Sequence, residues 1–287
     1  MSLFVPAEKL WDMPLGGVSQ DKQVPHWLGN IIFGFLFVLF KVAFRYHTDG
    51  LDNLRGFKGR GGVVVVSTHT SILDTAFLYL SARPKQWIRL LGRENLFGQV
   101  GGPLAPLVSQ ILSRVGAFPI KRESADMVAL KRASRMLKNK EVVGIFPEGT
   151  RRGKGTLVPE LHSGAAFIAK MGKAAILPST VRNADKIKQK GKFLRFPKVS
   201  IEYGTPLLLA DFDFFPRNER LDACTWYAMR ECFALSLRCS PEDVKMTELY
   251  PDAKDYTAAF KEHPIARHTT QDLMEATDSA VSQEEGE

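Results

Sequence analysis

With 287 residues, 45% of them hydrophobic and 24% charged, the chain has ordinary globular composition and can bury one substantial core plus appendages. Its net charge of +8 is uneven: residues 241–287 hold twelve Asp/Glu against four Lys/Arg, so the first 240 residues carry +16. A domain that basic favours polyanions, whether nucleic acid, anionic lipid or phosphate-bearing substrates. The three cysteines, Cys224, Cys232 and Cys239, have no zinc-site spacing, and an odd count argues against a disulfide framework. They read as small hydrophobes on one face of a helix in a reducing compartment.

Residues 1–22 read as irregular, or as carrying a short amphipathic helix. Gln23 to Phe40 contains no Asp, Glu, Lys or Arg, yet its apolar heart, Ile31 to Phe40, is only ten residues long. A bilayer span needs about 20, and shorter runs mark interfacial or core helices. The segment begins too far in for a signal peptide. Trp11 and Trp27, with Lys41 and Arg45, suit the headgroup level. A helix lying in one leaflet is therefore favoured over a full span, and a helix packed within the protein is the plain alternative. After the Gly/basic loop 55–62, strands are predicted at 63–67, 87–91, 115–120, 142–146 and 174–180. Helices are predicted at 72–81, in a broken form over 93–114 around Gly101, Gly102, Pro103 and Pro106, and at 162–171. Another starts with Ser124 as N-cap and Asp126 in its first turn. It carries a core-facing stripe of Met127, Leu130, Ala133 and Leu137, with Lys131, Arg132, Arg135 and Lys138 solvated. Val199, Ile201 and Tyr203 alternate with polar residues, as in a half-exposed strand near an edge. A helix over 218–239 follows, and the tail beyond 265 reads as polar, acidic and disordered.

Strands alternating with helices predict an α/β fold, a mostly parallel mixed sheet flanked by helices, with an N-terminal membrane-associated helix. The expected division is an anchoring segment 1–46, a catalytic domain 47–215, a C-terminal helical extension 216–265 and an acidic tail 266–287.

Two strand ends carry the chemistry. His69 follows the first strand, with Asp74 five residues on, close enough to hold one ring nitrogen while the other faces substrate. Such a pair fixes the imidazole tautomer and raises its basicity, as general-base catalysis requires. Phe146-Pro-Glu-Gly-Thr-Arg151 follows another strand. Gly149 permits a tight turn, Arg151 offers a planar fork for an anion, and Glu148 either meets a substrate hydroxyl or holds Arg151. Arg152 and Lys154 continue the positive charge. A third strand end brings Lys121 and Arg122, and a fourth has Pro178. Loops at carboxyl ends of parallel strands share one crevice. There is no Gly-x-Ser-x-Gly elbow, P-loop or dinucleotide fingerprint, and no metal-ligand cluster. Ser71 is too close to His69 along the chain for nucleophile–base geometry. The pattern points to base-assisted attack by a substrate group, without protein nucleophile or metal.

These segments resemble the ordered blocks of the glycerolipid acyltransferases, the 1-acyl-sn-glycerol-3-phosphate acyltransferase family. His69-x4-Asp74 matches the first block, Gly116-Ala-Phe-Pro-Ile-Lys-Arg122 the second, Phe146-Pro-Glu-Gly-Thr-Arg151 the third and Ala175-Ile-Leu-Pro178 the fourth. The second block departs from the pattern at Phe118-Pro119. The resemblance covers roughly residues 50 to 205. It implies transfer of an acyl group from acyl-CoA or acyl-ACP to the hydroxyl of lysophosphatidic acid, giving phosphatidic acid for phospholipid biosynthesis. Glycerol 3-phosphate or another lysophospholipid is the alternative acceptor, and a non-catalytic basic lipid-binding protein the alternative class. It further implies that His69 is the base and Asp74 its orienting partner, and that Lys121, Arg122, Glu148, Gly149, Thr150 and Arg151 bind the acceptor. No cofactor, metal or nucleic acid is implied. The expected location is the cytoplasmic face of a membrane, monotopic in preference to single-span.

Overall fold

Val63 to Val66 form a run with no polar face, and a strand of that kind is stable only where both faces are covered. The computed structural model puts it at the sheet's centre. It describes residues 7–12, 26–83, 85–98, 105–121, 126–152, 160–189, 191, 193–273 and 275. The strands are β1 (His47–Asp49), β2 (Val63–Ser67), β3 (Ile88–Arg93), β4 (Phe118–Ile120), β5 (Val142–Ile145), β6 (Ala175–Arg182) and β7 (Ser200–Tyr203). They form one sheet in the order β1-β7-β6-β2-β5-β3-β4. The five strands from β6 to β4 run parallel, while β7 is antiparallel to β6 and carries β1 with it.

Side chains of successive strand residues leave on opposite faces. Val64, Val66, Val143 and Ile176 enter one core with the helices Met127–Lys138, Gly164–Gly172 and Arg220–Leu237. Val63, Val65, Leu177 and Ile201 enter the other, against Phe44 and Phe77. Cys224 and Cys232 are fully buried in the first core as free thiols, as expected of small hydrophobes. Burial pushes both thiols far above the usual range.

Several elements differ from the sequence reading. The strand at Ser200–Tyr203 lies near an edge as expected, next to β1, which is too short to show periodicity and takes the edge itself. It is not half-exposed, because Ser200 is buried along with Val199, Ile201 and Tyr203, and Glu202 is half-buried. The polar alternates of β7 face Arg182, which donates to Ser200 Oγ (2.9 Å) and Glu202 Oε2 (2.6 Å), instead of water. Pro178 is not at a strand end; it pairs with Val66 inside β6, and its carbonyl accepts from Gly204 N–H (2.8 Å). The helix Met127–Lys138 is capped by Asp126, which accepts from Ala129 N–H (3.0 Å); Ser124 lies outside the described residues. Met127, one turn too early for the core stripe, is exposed.

Trp11 does not reach a headgroup position. It follows the short helix Ala7–Leu10, meets Phe97 edge-on (5.7 Å) and donates Nε1–H to Ser113 Oγ (2.9 Å). Asp12 next to it accepts from Arg132 (2.8 Å) and pairs with Arg135 (3.5 Å), so part of the basic face expected to be solvated instead tethers the N-terminal segment. The side chain of Trp27 lies outside the described residues. Downstream of 265, Thr270 and Leu273 are buried, and Thr270 donates to Asn53 O (2.8 Å), so order extends past the expected start of the tail. Residues 276–287 lie outside the described residues.

The helix His26–Phe44 is apolar on two sides. Phe33 packs on Tyr79 (5.4 Å) and Trp87 (6.0 Å), while Phe40 and Phe44 pack on Phe77 (5.2 and 5.4 Å). Ile31, Phe35, Val38 and Val42, at helical spacing, face outward and are exposed. Among the described residues no helix is long and apolar enough to cross a membrane.

Candidate active site

The centre of the site is the seam between β2 and β5, where Val66 pairs with Ile145 and both chains leave the sheet in the same direction. His69 follows β2, and its Nδ1 is 3.2 Å from Asp74 Oδ2. Asp74 is in the first turn of the helix Leu73–Ala82 and is completely buried. The same oxygen accepts the backbone N–H groups of Thr70 and Ser71, each at 2.7 Å, so the carboxylate both shapes the loop and holds the ring. An oxygen that already accepts from two backbone N–H groups acts as an acceptor toward the ring as well, which assigns the N–H to His69 Nδ1 and leaves Nε2 with a free lone pair. Nε2 has no partner among the described residues, and the His69 side chain keeps 16% of its surface exposed. The ring stacks on Phe146 at 4.2 Å and 25°, which fixes its plane.

The second loop supports the first from beneath. Gly149 adopts φ +60°, a left-handed conformation that glycine takes without a Cβ clash, and donates to Phe146 O (2.9 Å). This tight turn sends Glu148 inward. Its Oε2 accepts from His69 N–H (3.2 Å), and its Oε1 accepts from Tyr250 O–H (2.7 Å) and from Arg152 Nε–H. Arg152 N–H in turn donates to His69 O (2.8 Å). The backbone of His69 is thus clamped on both sides by residues of the loop after β5.

Two expectations are corrected here. Glu148 is not available to a substrate: its side chain has no exposed surface, and both oxygens are occupied. Its cationic partner is Arg152, not Arg151, because the Gly149 turn carries Arg151 outward and returns Arg152 to the core. Arg152 lies 4.7 Å from the ring centres of both Phe233 and Tyr250 and donates to Leu249 O (3.3 Å). Arg151 is partly exposed and has no ion-pair partner among the described residues. Thr150 and Gly149 are likewise partly exposed at the turn.

Lys121 lies on the same carboxyl rim, at the end of β4, but β4 is three strands from β2, about 14 Å at ordinary strand spacing. Its Nζ pairs with Glu94 (3.6 Å), and both side chains are largely exposed. Arg122 and Lys154 lie outside the described residues. Arg93, not singled out by sequence, ends β3 between Lys121 and the His69 loop, three residues beyond Leu90, which pairs with Gly144.

Tyr250 is the component that no motif in the chain singles out. It is 102 residues from Glu148 and follows the short helix Met246–Leu249. Burial, aided by the neighbouring Glu148 charge, pushes its phenol far above the usual range, so it remains a proton donor to the carboxylate.

An imidazole held by a buried carboxylate thus lies at the carboxyl end of the parallel strands, with cations along the same rim, an arrangement suited to general-base chemistry. The acyltransferase family model matches residues 45–182, which include β1 through β6 and both loops. A 1-acyl-sn-glycerol-3-phosphate acyltransferase of Bacillus subtilis (strain 168) is 32% identical over 173 residues, covering 60% of this chain and 80% of that protein. The beta form of the same enzyme from Homo sapiens is 35% identical over 118 residues, covering 40% of this chain and 39% of that one. A crystal structure of PlsC, the 1-acyl-sn-glycerophosphate acyltransferase of Thermotoga maritima, aligns over 79% of this chain and 86% of its own. Its sequence identity is 17% and its TM-score 0.49, too loose a likeness to carry inference. The chain belongs to the acyltransferase family that includes these 1-acyl-sn-glycerol-3-phosphate acyltransferases.

Proposed function

We propose that this enzyme transfers an acyl group from acyl-CoA or acyl-ACP to the free hydroxyl of 1-acyl-sn-glycerol 3-phosphate, forming phosphatidic acid. The observation that carries the proposal is the His69–Asp74 contact at 3.2 Å, with Nε2 unpartnered at the rim. Nε2 takes the hydroxyl proton as the substrate oxygen attacks the thioester carbonyl. The C–S bond then breaks, and the imidazolium returns that proton to the departing thiolate. Asp74 stabilises the imidazolium throughout, and no protein nucleophile takes part.

The acceptor phosphate is held by cations on the rim. Arg151 offers a bidentate fork, Lys121 and Arg93 extend the positive field along the strand ends, and Arg122 follows Lys121 directly in sequence. Thr150 and Gly149 line the turn beside that fork. Glu148, Arg152 and Tyr250 act as a scaffold that fixes the His69 backbone. The outward face of the helix His26–Phe44 rests in one leaflet on the cytoplasmic side, which brings acyl chains dissolved in the bilayer to the site. Relatives named as 1-acyl-sn-glycerol-3-phosphate acyltransferases support this choice of acceptor.

The test is a matrix of acyl-CoA and acyl-ACP donors against lysophosphatidic acid, glycerol 3-phosphate and lysophosphatidylcholine, using purified full-length protein. Lysophosphatidic acid is expected to give the highest kcat/KM with a thioester donor. A preference for either other acceptor, or no turnover with any, would overturn the assignment.

A further inference from the structure

The segment Lys186 to Lys198 carries the most exposed large hydrophobic side chain among the described residues. Phe193 is 94% exposed, with Leu194 at 56% and Phe196 at 53%. Exposed apolar residues scattered singly are normal, but contiguous ones rimmed by charge mark an interaction site. The loop is a constructed projection. Ile187 is buried at its base, Arg195 N–H closes it by donating to Ile187 O (2.9 Å), and Gly191 turns it at φ +74°. Lys186, Arg195 and Lys198 are exposed around the apolar tip, with Asp185 the acidic neighbour.

The loop is fastened beside the outward-facing apolar helix. The Phe196 ring lies 5.6 Å from that of Phe44, Arg45 donates to Phe196 O (3.3 Å), and Val199 N–H donates to Phe44 O (3.0 Å). Val42, half a turn before Phe44, is 72% exposed. The aromatic tip of the loop therefore lies at the C-terminal end of the helix, where the exposed stripe ends at Val42 and Lys41 and Arg45 add charge. Aromatic residues ringed by Lys and Arg match the boundary of a bilayer whose headgroups are anionic: the rings enter the acyl edge and the cations meet phosphates.

We propose that Phe193 and Leu194, flanked by Lys186, Arg195 and Lys198, form a second membrane-docking element, inserting the two apolar side chains into an anionic phospholipid surface alongside the helix. The proposal rests on the reading of that helix as a leaflet-bound anchor. Two contacts separated along the chain would fix the protein's orientation on the bilayer, which one helix, free to roll about its axis, does not.

The test is sedimentation of the full-length protein with vesicles of phosphatidylcholine alone and with added phosphatidylglycerol, comparing wild type, Phe193→Ser/Leu194→Ser and Lys186→Glu/Lys198→Glu. Losing both inserted side chains, Phe193 and Leu194, should weaken partitioning by at least about a hundred-fold. Reversing the two charges should weaken binding to the anionic vesicles by at least about five-fold per charge, with little change on phosphatidylcholine. Turnover of a detergent-dispersed acceptor should be unchanged in both variants, since neither lies in the catalytic machinery. Wild-type binding by both variants would overturn the loop proposal alone and leave the helix as sole anchor. A wild-type protein that ignores all vesicles would overturn the helix reading and the loop with it.

Discussion

Replacing Tyr250 with phenylalanine removes one oxygen and tests whether the C-terminal segment supports catalysis. The phenol donates to Glu148 Oε1 at 2.7 Å, and the carboxylate is wholly buried. A hydrogen bond to a charged group contributes about 1.5–3 kcal/mol, and the ring that remains keeps its packing on Arg152. For a chain of this size that loss lowers the melting temperature by about 3–10 °C. Tyr250 is 2% exposed and never meets substrate, so any effect on rate must pass through Glu148 to the His69 backbone. If about half of the lost energy reappears as misplacement of His69, kcat falls roughly three- to ten-fold. The acceptor KM should stay within about two-fold, because no phosphate contact is touched. Thermal unfolding followed by circular dichroism, together with steady-state kinetics, reads both quantities. Wild-type melting temperature and kcat would refute the scaffold role of Tyr250, and a raised KM at constant kcat would move it to substrate binding.

The other predictions concern the charged groups. Arg151→Lys keeps the charge but loses the planar fork, and should raise the acceptor KM about ten- to a hundred-fold with a smaller change for the donor; titrating both substrates checks this. Asp74→Asn keeps a carbonyl oxygen where Oδ2 accepts from Thr70 and Ser71 but loses the charge that stabilises the imidazolium, so kcat should fall by less than the ~10²–10⁴-fold expected for removing the base, with the fold intact; kinetics beside a circular dichroism spectrum decide it. The hydrogen bonds from Arg132 hold the Asp12 carboxyl below its ordinary range. Docking of Ala7–Asp12 is therefore fully stabilised above the ordinary carboxylate range and loses the contribution as pH falls through that range and on through the lowered folded-state value. Acid titration of tryptophan fluorescence should show a transition that Asp12→Asn removes.

Much of this was legible in the chain because the relevant constraints are local. A run of four valines can only be a strand covered on both faces, and a His and an Asp five residues apart across a strand end can meet within one turn. The Gly149 turn was also readable, but not its consequence, since which of two consecutive arginines turns inward depends on the aromatic pair Phe233 and Tyr250 waiting for it. Those rings come from segments with no motif of their own. Trp11 misled for a related reason. An aromatic near an apolar segment suits a headgroup and a protein groove equally, and only the arrival of Ser113 and Phe97 from distant sequence decides for the groove. β1 and the order extending through Leu273 escaped because three-residue pairings and single buried side chains produce no periodic signal.

The central claim is that His69 is the base of an acyl transfer reaction. Its most direct measurement is turnover of labelled acyl-CoA and lysophosphatidic acid by His69→Ala, with melting temperature and vesicle binding measured on the same preparation. Loss of general-base assistance alone accounts for about 10²–10⁴-fold in kcat, at unchanged folding and membrane association. A folded His69→Ala protein that turns over at close to the wild-type rate would contradict the mechanism.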